Sequence, residues 1–400
     1  MKCVVLVPDG AADYQLDELG GRTPLQAART PNMDRLASEG ANGLVQMIPA
    51  TCHPGSDIGN LEIFGYDSTV HYSGRAPLEA ASMGIDLGDA DIAFRCNLIN
   101  RDGDTLVDYS AGHITTDDGA ELVRAVSAEL GNDRLVFYPG VGYRHIMVFR
   151  DGPAGQLSFA PHDIMGQSIA AHLPSGPGAE EIHRLMVAAE SVLVGADVNR
   201  RREQEGELPA NAIWLWGSGG ALQLETFEQK YGVSGGVISA VDLVRGIGRQ
   251  AGLEVIEVPG ITGYLDTNYA GKAEYALEAL HRHDLVYVHV EAPDEAGHNG
   301  DPGAKIQALE DFDRLVAGPV AGGLADYPSA RLLMTPDHRT PIPLRTHSRE
   351  PVPYVLWGEG IAADGVAAYD EASAAVGTPC DRGHQLMACL INGSLPGKES

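Results

Sequence analysis

Basic residues are scarce in this 400-residue chain: 28 Lys and Arg stand against 55 Asp and Glu, a formal net charge of −27. A field of that sign repels phosphate backbones and anionic lipid heads, so neither nucleic acid nor a membrane surface is expected as a partner. An anionic small substrate then needs a local cationic pocket. Long apolar runs are missing too, none approaching the roughly 18 residues of a membrane span. The opening Met1-Lys2-Cys3-Val4-Val5-Leu6-Val7-Pro8 is too short for a signal peptide and reads as the first buried strand of a cytoplasmic protein. Cysteines number five, with no CxxC pair, which fits reduced thiols better than a disulfide framework or a thiolate zinc site. Aromatics make up only 6%. Two familiar motifs are also lacking. Gly217-Ser218-Gly219-Gly220 has Leu222 where a dinucleotide loop needs its last glycine, and Gly271-Lys272 lacks the rest of a P-loop.

What is present is an alternation of short Val/Ile/Leu runs with helical segments, the pattern of an α/β fold with a largely buried, mostly parallel sheet flanked by helices. Strands are predicted at Cys3–Val7, Ala212–Trp216, Val255–Val258, Leu285–Val290, Ala330–Met334 and Val352–Trp357. Thr30 to Gly40 reads as one helix, with Thr30 as N-cap, Pro31 in the first position and Gly40 as the stop. The middle of the chain is different: short strands at Phe94–Ile99, Thr105–Tyr109, Leu135–Phe137 and His145–Phe149, with one helix near 117–130. The expected organisation is a discontinuous core domain, residues 1–74 and 173–400, with a smaller α+β cap inserted at 75–172.

Chemistry-bearing residues cluster just after apolar runs. Asp9 follows the first; Asp294 and His298 follow Leu285–Val290; Asp337 and His338 follow Ala330–Met334; His347 comes shortly after. Ligands of open α/β sheets bind beyond the carboxyl ends of the strands, so these side chains converge if the strands are parallel neighbours. Three carboxylates and three imidazoles at one edge suit two divalent cations. A second feature is His53-Pro54-Gly55-Ser56-Asp57, a polar turn before an apolar run. No Gly-x-Ser-x-Gly elbow surrounds Ser56, so a metal is the natural activator of its hydroxyl. Alone, Ser56 reads as a helix N-cap. The sparse cations worth singling out are Arg75, Arg95, Arg144 and, later, Lys272, together with His113. Arginine suits a bidentate grip on carboxylate or phosphate. Each of these also has a plain reading as an ion-pair or buried structural residue.

Taken in order, Asp9-Gly10, Thr30-Pro31-Asn32-Met33-Asp34, Pro54-Gly55-Ser56-Asp57, Asp294-Glu295-Ala296-Gly297-His298, Pro336-Asp337-His338 and Thr346-His347-Ser348 resemble the alkaline phosphatase superfamily. More narrowly they resemble the archaeal-type, cofactor-independent phosphoglycerate mutases. The resemblance covers nearly the whole chain. It implies an alkaline-phosphatase-like core with an inserted cap. Asp294, His298 and His347 would hold one metal, and Asp9, Asp337 and His338 the other, with Ser56 reaching the second ion as the phosphorylated nucleophile. Mn²⁺ is the first choice, with Mg²⁺, Zn²⁺ or Co²⁺ as alternatives. The implied reaction moves the phosphoryl group between the 3- and 2-hydroxyls of glycerate, with Arg75, Arg95, His113, Arg144 and Lys272 binding the small phosphorylated acid. Trp214-Leu215-Trp216-Gly217, Ile238-Ser239-Ala240-Val241-Asp242 and Tyr264-Leu265-Asp266-Thr267-Asn268-Tyr269 are similar to a branch proposed to be homoserine kinases. That leaves a kinase, or a phosphotransferase on another small hydroxy acid, as the alternative. Arg339, where a small or turn-forming residue is expected, would mark a changed substrate. The oligomeric state is not readable.

Overall fold

The computed structural model describes residues 1–397. The chain divides into two compact units, Met1–Tyr72 with Leu224–Ser400, and Ser73–Gln223.

The first unit is built on seven strands: β1 (Lys2–Pro8), β2 (Ala41–Val45), β8 (Gly235–Ile238), β9 (Glu254–Val255), β10 (Leu285–Val290), β11 (Ala330–Met334) and β12 (Val352–Gly358). Their spatial order is β2-β12-β11-β1-β10-β8-β9. From β11 through β9 neighbouring strands run parallel; β12 is antiparallel to both its neighbours. Helices cover both faces, which is why β1 and β10 read as unbroken apolar runs rather than alternating ones. Val4, Leu6, Val286, Val288, Leu332 and Met334 share one core with Met33, Leu36, Ala276, Phe312 and Val320 of the covering helices. On the other face Phe64, at the end of helix Ser56–Ile63, stacks on Tyr287 of β10 with ring centroids 4.1 Å apart. The helix Pro31–Glu39 forms with Thr30 at its N-cap and Gly40 at its end, but the Thr30 side chain makes no capping hydrogen bond.

The second unit holds β3 (Ile92–Asp102), β4 (Thr105–Asp108), β5 (Leu135–Tyr138), β6 (Arg144–Phe149) and β7 (Ala212–Gly220). Strand β3 pairs antiparallel with β4, β6 and β7, and β5 pairs with β6. Two expectations need correction here. The chain returns to the first unit at Leu224 and not at 173, and the run Ala212–Trp216 is not a core strand. The reason is packing. The helix Ala179–Val194 lies against β7 and the helix Thr116–Leu130, and Ile182, Leu185, Ala189 and Trp214 complete one apolar core with Phe94, Leu98 and Val126. Of the strand expected at Val255–Val258 only Val255 lies in β9, while β2 and β8, both carrying glycine, lie outside the expected strands.

All five cysteines are free. No helix among the described residues is long and apolar enough to cross a membrane.

Candidate active site

Strands β11, β1 and β10 are adjacent and parallel, with Leu6 level with Met334 and Pro8 level with Val290. The residues that follow them must therefore meet at one edge of the sheet. Asp9 keeps the ladder going for one more bond, its N–H donating to Val290 O at 3.0 Å. Gly10 then turns with φ +60°, and its N–H donates to Asp337 Oδ1 at 3.2 Å. Only glycine fits there. A Cβ at residue 10 would lie 2.5 Å from both Asp294 Oδ1 and Thr340 Oγ1. After β10 a helical turn, Ala292–Asn299, carries Asp294 and His298 one turn apart on the same face.

Asp294, His298 and His347 form one group. His298 Nε2 is 3.1 Å from Asp294 Oδ2, His347 Nε2 is 3.6 Å from Asp294 Oδ1, and the two imidazole nitrogens are 2.9 Å apart. Burial alone would raise the Asp294 carboxyl, but the hydrogen bond from His298 and the imidazoles of His347 and His338 beside it hold it well below the usual range. The same hydrogen bond to Asp294 lifts His298 to about 9.

The second group is denser than expected. His338 Nε2 lies 3.6 Å from Asp9 Oδ1, 3.4 Å from Asp337 Oδ2 and 3.1 Å from Ser56 Oγ. Asp9 belongs to two overlapping sets of ligand-type atoms, one with Asp294 and His338, the other with Asp337 and His289. Burial, then the charges of Asp337 and Asp294, raise the Asp9 carboxyl well above the carboxylate range. Asp9 Oδ2 is hydrogen-bonded with His289 Nε2 at 2.9 Å, yet its buried Oδ1 has no hydrogen-bond partner among the described residues. Three buried carboxylates with imidazoles facing inward and one orphaned oxygen are a donor set suited to divalent cations.

Ser56 is not an N-cap. The cap position is Gly55, no side-chain cap bond forms, and Ser56 opens the helix with its hydroxyl turned to His338. Asp57 instead holds the turn, accepting from Tyr72 OH at 2.6 Å and lying 3.1 Å from His53 Nε2. Asn60, one turn on, donates to Ser56 O at 2.9 Å and to Asp337 Oδ2 at 2.8 Å, and Tyr287 OH donates to its Oδ1 at 2.7 Å. Lys272 is buried, with Nζ donating to His289 O at 2.7 Å; burial lowers it to about 8 and raises neighbouring Glu291 to about 8.

Sequence reasoning missed His289, Asn60 and Thr340. The only signal for His289 was a histidine inside an apolar strand. Arg339 proves not to mark the substrate. Its Nη1 donates to Asp13 O at 2.9 Å, and its Nε and Nη2 donate to Pro351 O at 2.9 and 2.7 Å, so the guanidinium clamps backbone.

In the second unit, Arg75 and Arg95 share Glu79, at 3.3 and 2.9 Å. Arg95 is buried, which lowers it to about 10, and its guanidinium lies over Trp216 at 4.3 Å from the ring centroid. Trp216 Nε1 donates to Asn97 Oδ1 at 3.1 Å, and Arg144, level with Asn97 across β3 and β6, is exposed. His162 packs edge-on to Trp216. His113 is exposed at φ +53° on the turn after β4, with Asp108 as its charged neighbour.

A mostly parallel sheet with carboxylates and imidazoles at its strand ends, interrupted by an antiparallel unit, places the protein with a Pyrococcus horikoshii protein (TM-score 0.82, 30% identity, 100% of this chain and 99% of that one). The cofactor-independent phosphoglycerate mutase of Thermoplasma acidophilum has the same fold (TM-score 0.69, 29% identity, 99% and 100%). The family model for 2,3-bisphosphoglycerate-independent phosphoglycerate mutase matches residues 37–199. A Geobacter sulfurreducens relative named as a probable enzyme of that kind is 54% identical over 98% of this chain and 100% of its own. One from Methanothermobacter thermautotrophicus is 50% identical over 98% of each. The chain belongs to the 2,3-bisphosphoglycerate-independent phosphoglycerate mutase family. The homoserine kinase alternative finds no support among these relatives, and of the three stretches similar to that branch the first has structural employment: Trp214 is fully buried in the second unit's core and Trp216 lies against Arg95.

Proposed function

We propose that the protein interconverts 3-phosphoglycerate and 2-phosphoglycerate, without bisphosphoglycerate, through a phosphoserine at Ser56. The observation that carries this is the Ser56 hydroxyl 3.1 Å from His338 Nε2, at the mouth of the strand-end carboxylates, with no capping role to explain it. In this reading Asp294, His298 and His347 hold one divalent cation, and Asp9, Asp337 and His338 hold a second close to Ser56, Mn²⁺ being the first choice. Such ions neutralise phosphoryl oxygens and ease ionisation of a serine hydroxyl. The remaining work falls to the chain. Asn60 fixes the first turn of the Ser56 helix against Asp337, so the hydroxyl is aimed before substrate arrives. As the ester bond at O3 breaks, a bond forms from phosphorus to Ser56 Oγ; the proton lost by the serine balances the one taken up by the O3 alkoxide. Return of the phosphoryl group to O2 restores the serine, and nothing external is consumed. Arg75, Arg95 and Arg144 supply cations for the acid's anionic groups, with Lys272 and His113 as further binding residues and a cytoplasmic location as the setting.

An enolase-coupled assay with Mn²⁺ and 3-phosphoglycerate, without added bisphosphoglycerate, tests the proposal. Steady phosphoenolpyruvate formation is expected. A flat trace with Mn²⁺, Mg²⁺, Zn²⁺ and Co²⁺ overturns it.

A further inference from the structure

Thr340 lies fully buried between the two ligand groups. Its hydroxyl donates to Asp294 Oδ1 and also meets His338 Nδ1 at 3.2 Å. An ionised carboxylate only accepts, so the single hydroxyl proton is directed to Asp294, and the threonine oxygen presents lone pairs to His338. The hydrogen of the second contact must then come from Nδ1. A neutral ring protonated at Nδ1 has a bare Nε2.

The far side of the ring agrees. Nε2 faces Ser56 Oγ, a hydroxyl with a proton to give. Asp9 Oδ1 lies 3.6 Å from the same nitrogen, beyond hydrogen-bond reach, so no acceptor there claims a hydrogen from Nε2. Thr340 itself cannot wander. Its N–H donates to Ala12 O at 3.3 Å, Lys305 Nζ donates to its carbonyl at 2.9 Å, and Lys305 is paired with Asp13 at 2.8 Å, both side chains fully buried.

We propose that Thr340 is a positioning residue whose hydroxyl fixes His338 as the Nδ1–H tautomer and ties that ring to Asp294, holding a bare Nε2 toward Ser56. The functional meaning rests on Ser56 as phosphoryl acceptor; the tautomer does not. A bare Nε2 is what a cation ligand and a proton acceptor both require, and groups that orient a ligand through its other nitrogen commonly change affinity or activity about 10–100-fold.

The test uses Thr340→Val, which keeps the shape and removes the hydroxyl, and Thr340→Ser, which keeps the hydroxyl. In metal-free protein labelled with ¹⁵N-histidine, with His338→Gln to assign the resonances, His338 should show a protonated Nδ1 and a bare Nε2. Thr340→Ser should retain that signature. Thr340→Val should show mixed tautomers, with Mn²⁺ affinity and kcat each reduced about 10–100-fold and KM for 3-phosphoglycerate little changed. A bare Nδ1 in the wild type overturns the proposal even if Thr340→Val does not fold. So does a Thr340→Val protein with unchanged tautomer and Mn²⁺ affinity, or a Thr340→Ser protein as impaired as Thr340→Val. Absence of mutase activity with the expected spectra and Mn²⁺ affinities would count against the function of Ser56 and leave the tautomer assignment standing.

Discussion

His298 Nε2 and His347 Nε2 face each other at 2.9 Å, both beside the Asp294 carboxylate. Two bare imidazole nitrogens repel at that spacing, so without a cation one ring carries a proton between them. The hydrogen bond to Asp294 makes His298 the holder, with its pKa raised to about 9. A cation at this group must displace that proton. Below pH 9 His298 starts protonated, so cation affinity should climb with pH up to about 9 and level off above it. Calorimetric titration of metal-free protein with Mn²⁺ at pH 7, in two buffers of different ionisation enthalpy, should report net proton release that includes the proton held by His298. Uptake, or no exchange at all, would contradict the arrangement. Chelation should abolish turnover and Mn²⁺ should restore it.

Ser56→Ala separates stability from chemistry. Because Ser56 makes no capping bond, the change should alter unfolding free energy by no more than about 0.5 kcal/mol in a urea titration. Turnover should fall by roughly 10⁴-fold or more, as when other covalent nucleophiles are removed. Mass spectrometry should find phosphate on Ser56 after brief exposure of the wild type to phosphoglycerate. An active Ser56→Ala enzyme would sink the mechanism.

Gly10→Ala tests how tightly the loops are packed. The residue sits at φ +60°, and the added methyl would lie 2.5 Å from Asp294 Oδ1 and Thr340 Oγ1, which belong to buried side chains fixed by other contacts. Left-handed strain and overpacking together should cost about 1–3 kcal/mol of stability and displace Asp294. Mn²⁺ affinity should fall in parallel. A variant with wild-type Tm and wild-type metal binding would show that the strand-end loops yield more easily than their contacts imply.

The legible part of the site was the part that punctuates apolar runs. Asp9, Asp294, His298, Asp337 and His338 each follow a strand whose burial on both faces makes it conspicuous, and parallel neighbours bring such residues to one edge. Residues that support them were hidden because their types have ordinary explanations where they stand. Asn60 sits in a helix, Thr340 in a turn, and His289 within β10, where its contact with Asp9 depends on which strands are neighbours. The boundary error has the same origin. The run Ala212–Trp216 announces a strand but not which sheet it joins, and it is pairing with β3 that carries it into the second unit. Ser56 shows the converse, since a serine at a helix start has a cap as its plain reading, and only the direction of its hydroxyl sets that aside.

Arg144 and Arg95 should respond differently to removal, although both are assigned to the substrate's anionic groups. Arg144 is exposed at the start of β6, so Arg144→Ala should leave stability within about 0.5 kcal/mol. Loss of one charge-assisted contact of about 1.5 kcal/mol should raise KM for 3-phosphoglycerate roughly tenfold, with a smaller effect on kcat. Arg95 is buried between Glu79 and the Trp216 ring. Arg95→Ala removes the cation facing both and opens a gap beside Trp216, so it should cost about 1–3 kcal/mol of stability besides raising KM. Arg95→Lys restores charge without the planar group that stacks on Trp216, and should recover stability only in part. Steady-state kinetics and urea unfolding on the three variants check this pattern. If Arg144→Ala and Arg95→Lys both keep the wild-type KM, these arginines belong to the second unit's folding alone, and the substrate's carboxylate must find its cation elsewhere.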